Sequence, residues 1–337
     1  MSSYDAKVIP MRRPARISGS LPRSVEKLAT LGLEAVGRIQ QRASLERVRV
    51  IRNVPYLGSG LRSHQLDVYI PQAQQGPLPV VLYVHGGVFM WCSKETHFFV
   101  GHAYANAGFV VFNLNYRLAP RNKYPAAIED VAEALRWVHD NAARFGGDAT
   151  RLVLAGESAG ANLVSSLAIA CASPRPESWA RALFEGGVSP RAVVAACGIL
   201  QVSQAGRLGA KPRLGPIVRR VLNQLPDVYV DLRGPWAPGE LDLLDPLRIF
   251  ESNYRFSRTL PGFFLPVGTS DPLVDDTRRM GEALARRGVP HEVRYYSGEL
   301  HAFHFMFWRE AARRCWAETF RFIDRQLRRP ALGEPPV

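Results

Sequence analysis

The feature that most constrains the fold of this chain is the pentapeptide Gly-Glu-Ser-Ala-Gly at residues 156–160. It follows an apolar run at residues 152–154 and precedes a stretch with helical character at residues 161–167. A Gly-x-Ser-x-Gly segment between a strand and a helix predicts a sharp turn that lifts its serine above the end of a sheet. The glycines are required because a side chain at either position would collide with neighbouring backbone. The pentapeptide alone is a weak pattern, and its strand-to-helix context gives it weight.

Strand and helix patterns alternate along most of the chain. The strand patterns lie at 48–55, 65–70, 79–84, 109–114, 151–155, 192–197, 263–268 and 291–296, and the helix patterns near 95–107, 126–144 and 159–171. Such alternation predicts an α/β fold with a mostly parallel central sheet and helices on both faces.

The alternation breaks between about residues 201 and 251, a stretch rich in proline and glycine. It contains one amphipathic helix pattern, which begins at Pro216. About fifty residues are too many for a plain loop, so we predict a helical cap over the strand ends. A second amphipathic pattern at 25–39 follows Ser24, a suitable N-cap. Both helices would line a pocket and exclude water. The alternative is that they only pack on the core.

These patterns divide the chain into five segments. They are an N-terminal cap segment at 1–47, the first part of the core at 48–200, a cap insertion at 201–251, the second part of the core at 252–329, and a tail at 330–337.

A serine hydroxyl needs a general base, and the base needs an orienting acid. In folds with this turn, the acid and then the histidine follow the serine along the chain. Asp271 comes just after the predicted strand 263–268, at the strand end where open α/β sheets carry their chemistry. His301 follows the predicted strand 291–296 through a short loop, thirty residues after Asp271. Ser158, His301 and Asp271 are therefore the candidate catalytic residues.

Other residues compete for the roles of acid and base. Asp271 precedes a proline, so it could serve only as a helix N-cap. Asp275 and Asp276 lie one turn further on and are predicted to be solvated charges of a first helical turn. His304 lies between two phenylalanines and is predicted to be a packed or surface histidine.

A second motif, His-Gly-Gly-Val-Phe at residues 85–89, follows the predicted strand 79–84. Acyl transfer places negative charge on the carbonyl oxygen, and each well-aimed backbone N–H stabilises it by roughly 3 kcal/mol. The alternative is a simple tight turn. His85 is predicted to be structural because it precedes the serine in the chain. The candidate oxyanion-hole donors are the amides of Gly86, Gly87, Val88 and Ala159.

With these residues the chain resembles the hormone-sensitive-lipase-like esterase family of α/β-hydrolases, over roughly residues 48–325. The resemblance is carried by residues 85–89, 115–120 with 124–127, 145–148, 156–160, and 271–273 with 301–303. It implies an α/β-hydrolase fold with a cap, and hydrolysis of short- to medium-chain carboxylic esters without a metal or organic cofactor. It also implies that Arg117, which could pair with Asp130, is structural.

Three positions depart from the family pattern. Val88 stands where the family usually has a third glycine, and a β-branched residue disfavours positive φ. We therefore expect either ordinary dihedrals at Val88 or a shifted loop, and a narrower acyl pocket. Ala302 replaces a frequent glycine after the base, and Glu157 replaces a frequent aspartate while keeping the charge.

The composition fits a globular enzyme, with 47% hydrophobic residues in 337. The four cysteines, Cys92, Cys171, Cys197 and Cys315, are scattered without a Cys-x-x-Cys pair. They predict small core residues in a reducing compartment, so neither a disulfide framework nor a metal site is expected. No apolar run approaches the ~20 residues of a membrane span, and no signal-peptide pattern follows the first basic residues. These features predict a cytoplasmic location.

The net charge of +13 raises the question of acidic partners. The arginines are spread along the chain without a basic stripe of interleaved aromatics, so we predict no nucleic-acid partner. The expected partner is a small-molecule ester, and a homodimer is left open. Three rival functions remain at this point: an amidase, formamidase or peptidase on the same scaffold, a non-catalytic small-molecule receptor, and a peripheral protein that acts on anionic lipid.

Overall fold

The computed structural model of the protein describes residues 47–72, 76–209, 214–232, 234–237 and 239–329. The predicted helix at 25–39, with its N-cap Ser24, lies outside these ranges. Within these ranges the sheet has eight strands: β1 Val48–Pro55, β2 Gln65–Pro71, β3 Leu78–Val84, β4 Val110–Leu114, β5 Gly147–Glu157, β6 Ala192–Ala196, β7 Gly262–Gly268 and β8 His291–Tyr296.

The strands pair in the order β1-β2-β4-β3-β5-β6-β7-β8. The β1–β2 and β2–β4 pairs are antiparallel, and every pair from β4 to β8 is parallel. The prediction of a mostly parallel α/β sheet is thus confirmed.

Helices connect these strands in the described residues. They are α1 Phe98–Asn106, α2 Ala126–Asn141, α3 Ala159–Ala172, α4 Ser178–Glu185, α5 Gly206–Gly209, α6 Pro216–Tyr229, α7 Pro246–Glu251, α8 Val274–Arg286 and α9 Glu310–Leu327.

The sheet is covered on both faces because apolar residues of its central strands alternate between the two sides. In β3, Val80, Leu82 and Val84 join the core that includes α2, α3 and α8, whereas Val81 and Tyr83 join the core that includes α1 and α9. Strands that are apolar on both faces must be covered on both sides, so the sequence pattern explains the three-layer arrangement.

The strand registers bring the candidate loops to one edge of the sheet. Val84 at the end of β3 pairs with Gly156 in β5, and Glu157 pairs with Ala196 at the end of β6. Gly268 at the end of β7 pairs with Tyr296 at the end of β8. The carboxyl ends of five parallel strands therefore deliver the loops that contain residues 85–89, 158, 197, 271 and 301 to the same side.

In its described parts, the segment 201–251 contains α5, α6 and α7. Helix α6 begins with Pro216 at its first turn, as the sequence predicts. Its buried residues are Val221, Leu222, Leu225 and Tyr229. Helix α4 was not predicted, because it is short and lies between two segments rich in glycine and proline. Among the described residues, no helix combines the length and apolar character needed to span a bilayer.

Candidate active site

Ser158 lies in the sharp turn between β5 and α3, in a backbone conformation that side chains rarely adopt. Its φ is 55° and its ψ is −115°. The Ser158 amide donates to the Ala196 carbonyl over 2.9 Å, and the Ile199 amide donates to the Ser158 carbonyl over 3.2 Å. A strained residue persists only when its surroundings hold it in place, and here the loop after β6 does so.

Two glycines make this turn sterically feasible. A Cβ added to Gly160 would lie 2.0 Å from the Val84 carbonyl oxygen, and one added to Gly156 would lie 2.6 Å from the backbone of Gly160. Both contacts are with backbone, which cannot rotate away. The packing of α3 against β3 thus requires glycine at both positions, as the sequence predicts.

Asp271 and His301 meet at the ends of β7 and β8. His301 Nδ1 lies 2.9 Å from Asp271 Oδ2, and the aspartate is only 2% exposed. Burial of the ring acts to lower the pKa of His301, but the Asp271 carboxylate, together with Cys197, outweighs it and raises this pKa well above the ordinary histidine value. The other oxygen, Asp271 Oδ1, accepts the Leu273 amide over 2.7 Å. The aspartate therefore supports the start of α8 and contacts the histidine at the same time.

The prediction that Asp276 is a solvated charge is wrong. Asp276 is 0% exposed and accepts the amides of Leu200 and Gln201 over 2.8 and 3.1 Å. It also pairs with Arg207. Burial raises the pKa of this carboxyl despite Arg207. Asp276 is covered by a segment of the same chain that is distant in sequence. Its position in the first turn of a helix could not indicate this burial.

His304 is packed, as expected for a residue between two phenylalanines. It is 7% exposed, and burial lowers its pKa to about 4. The Trp316 indole donates to its backbone carbonyl over 2.9 Å. A buried histidine of this kind is neutral at physiological pH.

Ser158 and His301 line one cavity of about 340 Å³. Gly87 and Val88 of the loop after β3 line it as well. Most of the remaining lining is apolar and comes from several elements: Trp91, Ile199, Ile217, Val218, Val221, Leu222, Pro272, Leu273, Ala302 and Phe305. Helix α6 contributes four of these side chains, so its apolar face lines a cavity as predicted.

The loop at residues 85–89 forms a tight turn with unusual dihedrals. Gly87 has φ 107°, Val88 φ 50° and Phe89 φ 61°. The expectation of ordinary dihedrals at Val88 is wrong, because the valine itself adopts the left-handed conformation. The amides of Met90 and Trp91 both donate to the Gly87 carbonyl, over 3.0 and 2.9 Å, and this turn holds the valine in place.

Glu157, next to the serine, contacts this loop and the residues beside it. Its carboxylate accepts the Gly86 amide and the Tyr83 hydroxyl and lies 3.0 Å from His97 Nε2. The side chain is almost fully buried. Burial acts to raise the pKa of Glu157, but His97, Tyr83 and the Gly86 amide outweigh it and lower that pKa. The Gly86 amide is thus engaged with Glu157, whereas Gly87 and Val88 line the cavity. The sequence indicates the charge of Glu157 but not these contacts.

Other predicted residues have structural contacts. His85 is buried, its Nδ1 lies 2.7 Å from the Gly86 carbonyl oxygen, and burial lowers its pKa to about 4. The predicted pair of Arg117 with Asp130 is confirmed, since Arg117 Nε lies 2.8 and 2.9 Å from the two carboxylate oxygens. Ala159 is the first residue of α3 and is fully buried. Its amide belongs to the first helical turn, where N–H groups lack intrahelical partners.

Cys197 adjoins the aspartate–histidine pair, which sequence reasoning did not anticipate. Its sulfur, an Asp271 carboxylate oxygen and a His301 ring nitrogen all lie within 4.8 Å of one another. The cysteine was predicted to be a small core residue, and it is indeed buried, with 1% exposure. The only available signal was its position at the end of the predicted central strand 192–197, at the edge where the other loops converge.

Comparisons with known proteins agree with this architecture. A family model described as alpha/beta hydrolase fold matches residues 81–305. The esterase LipI of Mycobacterium tuberculosis is 34% identical over 221 residues, which cover 65% of this chain and 63% of LipI. The carboxylesterase NlhH of the same species is 44% identical over 118 residues, covering 35% of this chain and 36% of NlhH. The matched segment thus spans about a third of NlhH and less than two thirds of LipI.

Solved structures show the same fold. A hyperthermophilic esterase from the archaeon Pyrobaculum calidifontis superposes with a TM-score of 0.69 at 24% identity, over 90% of this chain and 93% of that one. EstE1, a carboxylesterase from a metagenomic library, superposes with a TM-score of 0.72 at 21% identity, over 92% and 99% of the two chains. The family model and the curated relatives show that this chain belongs to the hormone-sensitive-lipase-like family of α/β-hydrolases.

Proposed function

We propose that the protein is a serine carboxylic-ester hydrolase that works through Ser158, His301 and Asp271. The observation that carries the proposal is the contact of His301 Nδ1 with the buried Asp271 carboxylate, on a ring that shares its cavity with Ser158. Such a pair leaves the other ring nitrogen available to take a proton from a serine. The relatives named as esterases support the same chemistry.

In the proposed reaction, Ser158 attacks the ester carbonyl while His301 accepts the hydroxyl proton. Asp271 holds the histidine in the required tautomer and stabilises the imidazolium that forms. His301 then protonates the departing alcohol, and water activated by the same ring releases the acid in a second half-reaction.

The negative charge on the carbonyl oxygen would be stabilised by backbone amides. The amides of Gly87, Val88 and Ala159 are the proposed donors. Gly87 and Val88 line the cavity, and Ala159 begins a helix directly after the serine. The proposed role of Gly86 is to fix the loop and not to stabilise the oxyanion, since its amide donates to Glu157.

The proposed substrates are esters with short to medium acyl chains. A cavity of about 340 Å³ is at the small end of ligand pockets, which span roughly 300–1,000 Å³. Its apolar lining favours hydrocarbon over charged groups. Val88 lines the cavity, and its side chain is proposed to narrow it where a glycine would leave more space.

Initial rates on p-nitrophenyl esters from acetate to palmitate test the activity. We expect rates that peak at short or medium chains and that fall by several orders of magnitude in Ser158→Ala, on the order of 10⁶ by analogy with other serine hydrolases. Ser297→Ala is the matched control, because Ser297 is an exposed serine on the loop after β8. Retention of most activity in Ser158→Ala would remove the serine assignment. Hydrolysis of amides but not esters by folded protein would move the proposal to an amidase.

The variant Val88→Gly tests whether the valine side chain limits the length of the acyl group. Removing the side chain keeps the backbone amide and is compatible with a φ of 50°. We expect the optimum to move to longer acyl chains, measured as kcat/KM along the same ester series. An unchanged profile would show that Val88 does not set the acyl length.

The division into cap and core remains part of this proposal. Residues 201–251 are proposed as the cap insertion because α6 contributes its apolar face to the cavity. The N-terminal cap segment at 1–47 lies almost wholly outside the described residues. A cytoplasmic location, a homodimer and the lack of a nucleic-acid partner stay predictions from the sequence.

A further inference from the structure

Cys197 and the aspartate–histidine pair bring three different metal-binding donors together. The sulfur of Cys197, a carboxylate oxygen of Asp271 and a ring nitrogen of His301 lie within 4.8 Å of one another. Each comes from a different loop, after β6, β7 and β8. The Cys197 amide donates to the Pro266 carbonyl over 2.9 Å, which fixes the cysteine against the neighbouring strand. The cluster therefore lies at the carboxyl end of the sheet, with the cysteine backbone held against β7.

The spacing of the donors suits a small tetrahedral ion. Zinc binds sulfur at about 2.3 Å and nitrogen or oxygen at about 2.0–2.2 Å, so two donors of one ion stand roughly 3.3–3.8 Å apart. To reach that separation, His301 Nδ1 and Asp271 Oδ2, which are 2.9 Å apart, would move apart by roughly 0.5 Å, and the sulfur would approach them by at most about 1 Å. Both shifts are within the reach of side-chain rotations. Three protein ligands would leave the fourth position for water.

The donor types select the class of ion. Thiolate and imidazole favour Zn²⁺, whereas Mg²⁺ and Ca²⁺ prefer sets made only of oxygen. A thiolate and a carboxylate together also balance the two positive charges of the ion. Binding would release the thiol proton of Cys197 to solvent.

We propose that Cys197, Asp271 and His301 form a binding site for Zn²⁺ that inhibits the enzyme. The binding part depends only on the donors and their spacing, and the inhibition rests on the function proposed above. Zinc bonded to a nitrogen of His301 occupies a lone pair or replaces a proton that the ring needs for proton transfer. It also takes the Asp271 carboxylate away from the histidine.

The ion has a path to the cluster. His301 lines the cavity of about 340 Å³, and its side chain is 36% exposed. Cys197 and Asp271 lie directly behind it and are nearly fully buried. Zinc entering from the cavity would meet the histidine first and then the sulfur and the carboxylate.

Zinc binding is measured first, without any ester, by competition with a chromophoric chelator. Wild type is compared with Cys197→Ser and Cys197→Ala, with Mg²⁺ as the ion control. Cys92→Ser is the matched variant, since Cys92 lines the same cavity but lies outside the cluster. We expect one zinc per chain in wild type and in Cys92→Ser, and an affinity about tenfold or more weaker in both Cys197 variants. Thermal melts of each variant establish that it is folded.

Ester hydrolysis is then measured with and without Zn²⁺, each variant relative to its own zinc-free rate. We expect reversible inhibition of wild type that EDTA removes, and resistance in the Cys197 variants. Equal zinc affinity in wild type and both Cys197 variants would overturn the site, as would a lack of zinc binding by wild type at millimolar concentration. Zinc binding that depends on Cys197 in a protein without esterase activity would uphold the site and refute the proposed function.

Discussion

Replacing Asp271 by asparagine gives the sharpest test of the aspartate–histidine contact, because the structure fixes how an amide would sit there. One carboxylate oxygen accepts the Leu273 amide and the other faces His301 Nδ1. In Asp271→Asn the amide oxygen must take the position next to the Leu273 N–H, since the NH₂ group there would oppose another donor. The NH₂ group then faces His301.

That orientation selects the wrong tautomer. An NH₂ group facing Nδ1 requires Nδ1 to accept, which puts the ring proton on Nε2. The ring then presents a donor to Ser158 and can no longer take its proton. The variant also loses the carboxylate that stabilises the imidazolium, worth roughly 4 kcal/mol for charges about 4 Å apart at an effective dielectric of about 20. At about 1.4 kcal/mol per factor of ten, we expect kcat to fall on the order of 10³–10⁴-fold.

The assay is kcat on the best p-nitrophenyl ester, per folded enzyme. Asp276→Asn is the matched control, because Asp276 is a nearby buried carboxylate, in α8, that contacts backbone amides away from His301. We expect it to change stability with little change in kcat. Asp271→Ala should be about 1 kcal/mol less stable than Asp271→Asn, because it also loses the contact to Leu273. A kcat for Asp271→Asn within tenfold of wild type would refute this reasoning.

Three further outcomes are expected. First, the pKa of His301 is raised, and the ring acts as a base only when it is neutral. We therefore expect kcat/KM to fall as pH falls through a midpoint above 6.5, the ordinary histidine value. A pH–rate profile with its midpoint at or below 6.5 would contradict this. Second, Glu157→Gln removes the charge that accepts the Gly86 amide, so the free energy of unfolding should fall by about 1.5–3 kcal/mol and kcat should fall with it, checked by denaturant titration and ester kinetics. Unchanged values of both would show that the charge is dispensable. Third, Ala302→Gly should raise the free energy of unfolding by about 0.5–1 kcal/mol, because removing the side chain relieves backbone strain at a φ of 56° by more than the entropy cost of glycine. A lower melting temperature would count against this prediction.

The sequence predicted the sheet well because its central strands are apolar on both faces and are separated by clear helix patterns. The limits of β1 and β8 were predicted to the residue, at 48–55 and 291–296. Helix α4 was missed because eight residues between glycine- and proline-rich segments carry little periodic signal.

Some residues of the site could be predicted from local sequence, and others depend on contacts between distant segments. The turn at Ser158 and the positions of Asp271 and His301 after strands follow from short motifs in their context. The burial of Asp276 by Leu200 and Gln201 could not be predicted, because these residues lie more than seventy positions away in sequence. The position of Cys197 beside His301 has the same cause, since only the strand order makes their loops neighbours.

The place of β8 in the sheet has a consequence for how the enzyme would lose activity. β8 is the last strand in the described order and pairs with β7 on one side. His301 is carried on the loop that follows it, whereas Ser158 follows the central strand β5. Outer strands fray with less free energy than central ones. We therefore expect β8 and the loop that carries His301 to detach at denaturant concentrations at which the central strands are still folded. The concentration at which activity is lost would then underestimate the stability of the rest of the molecule.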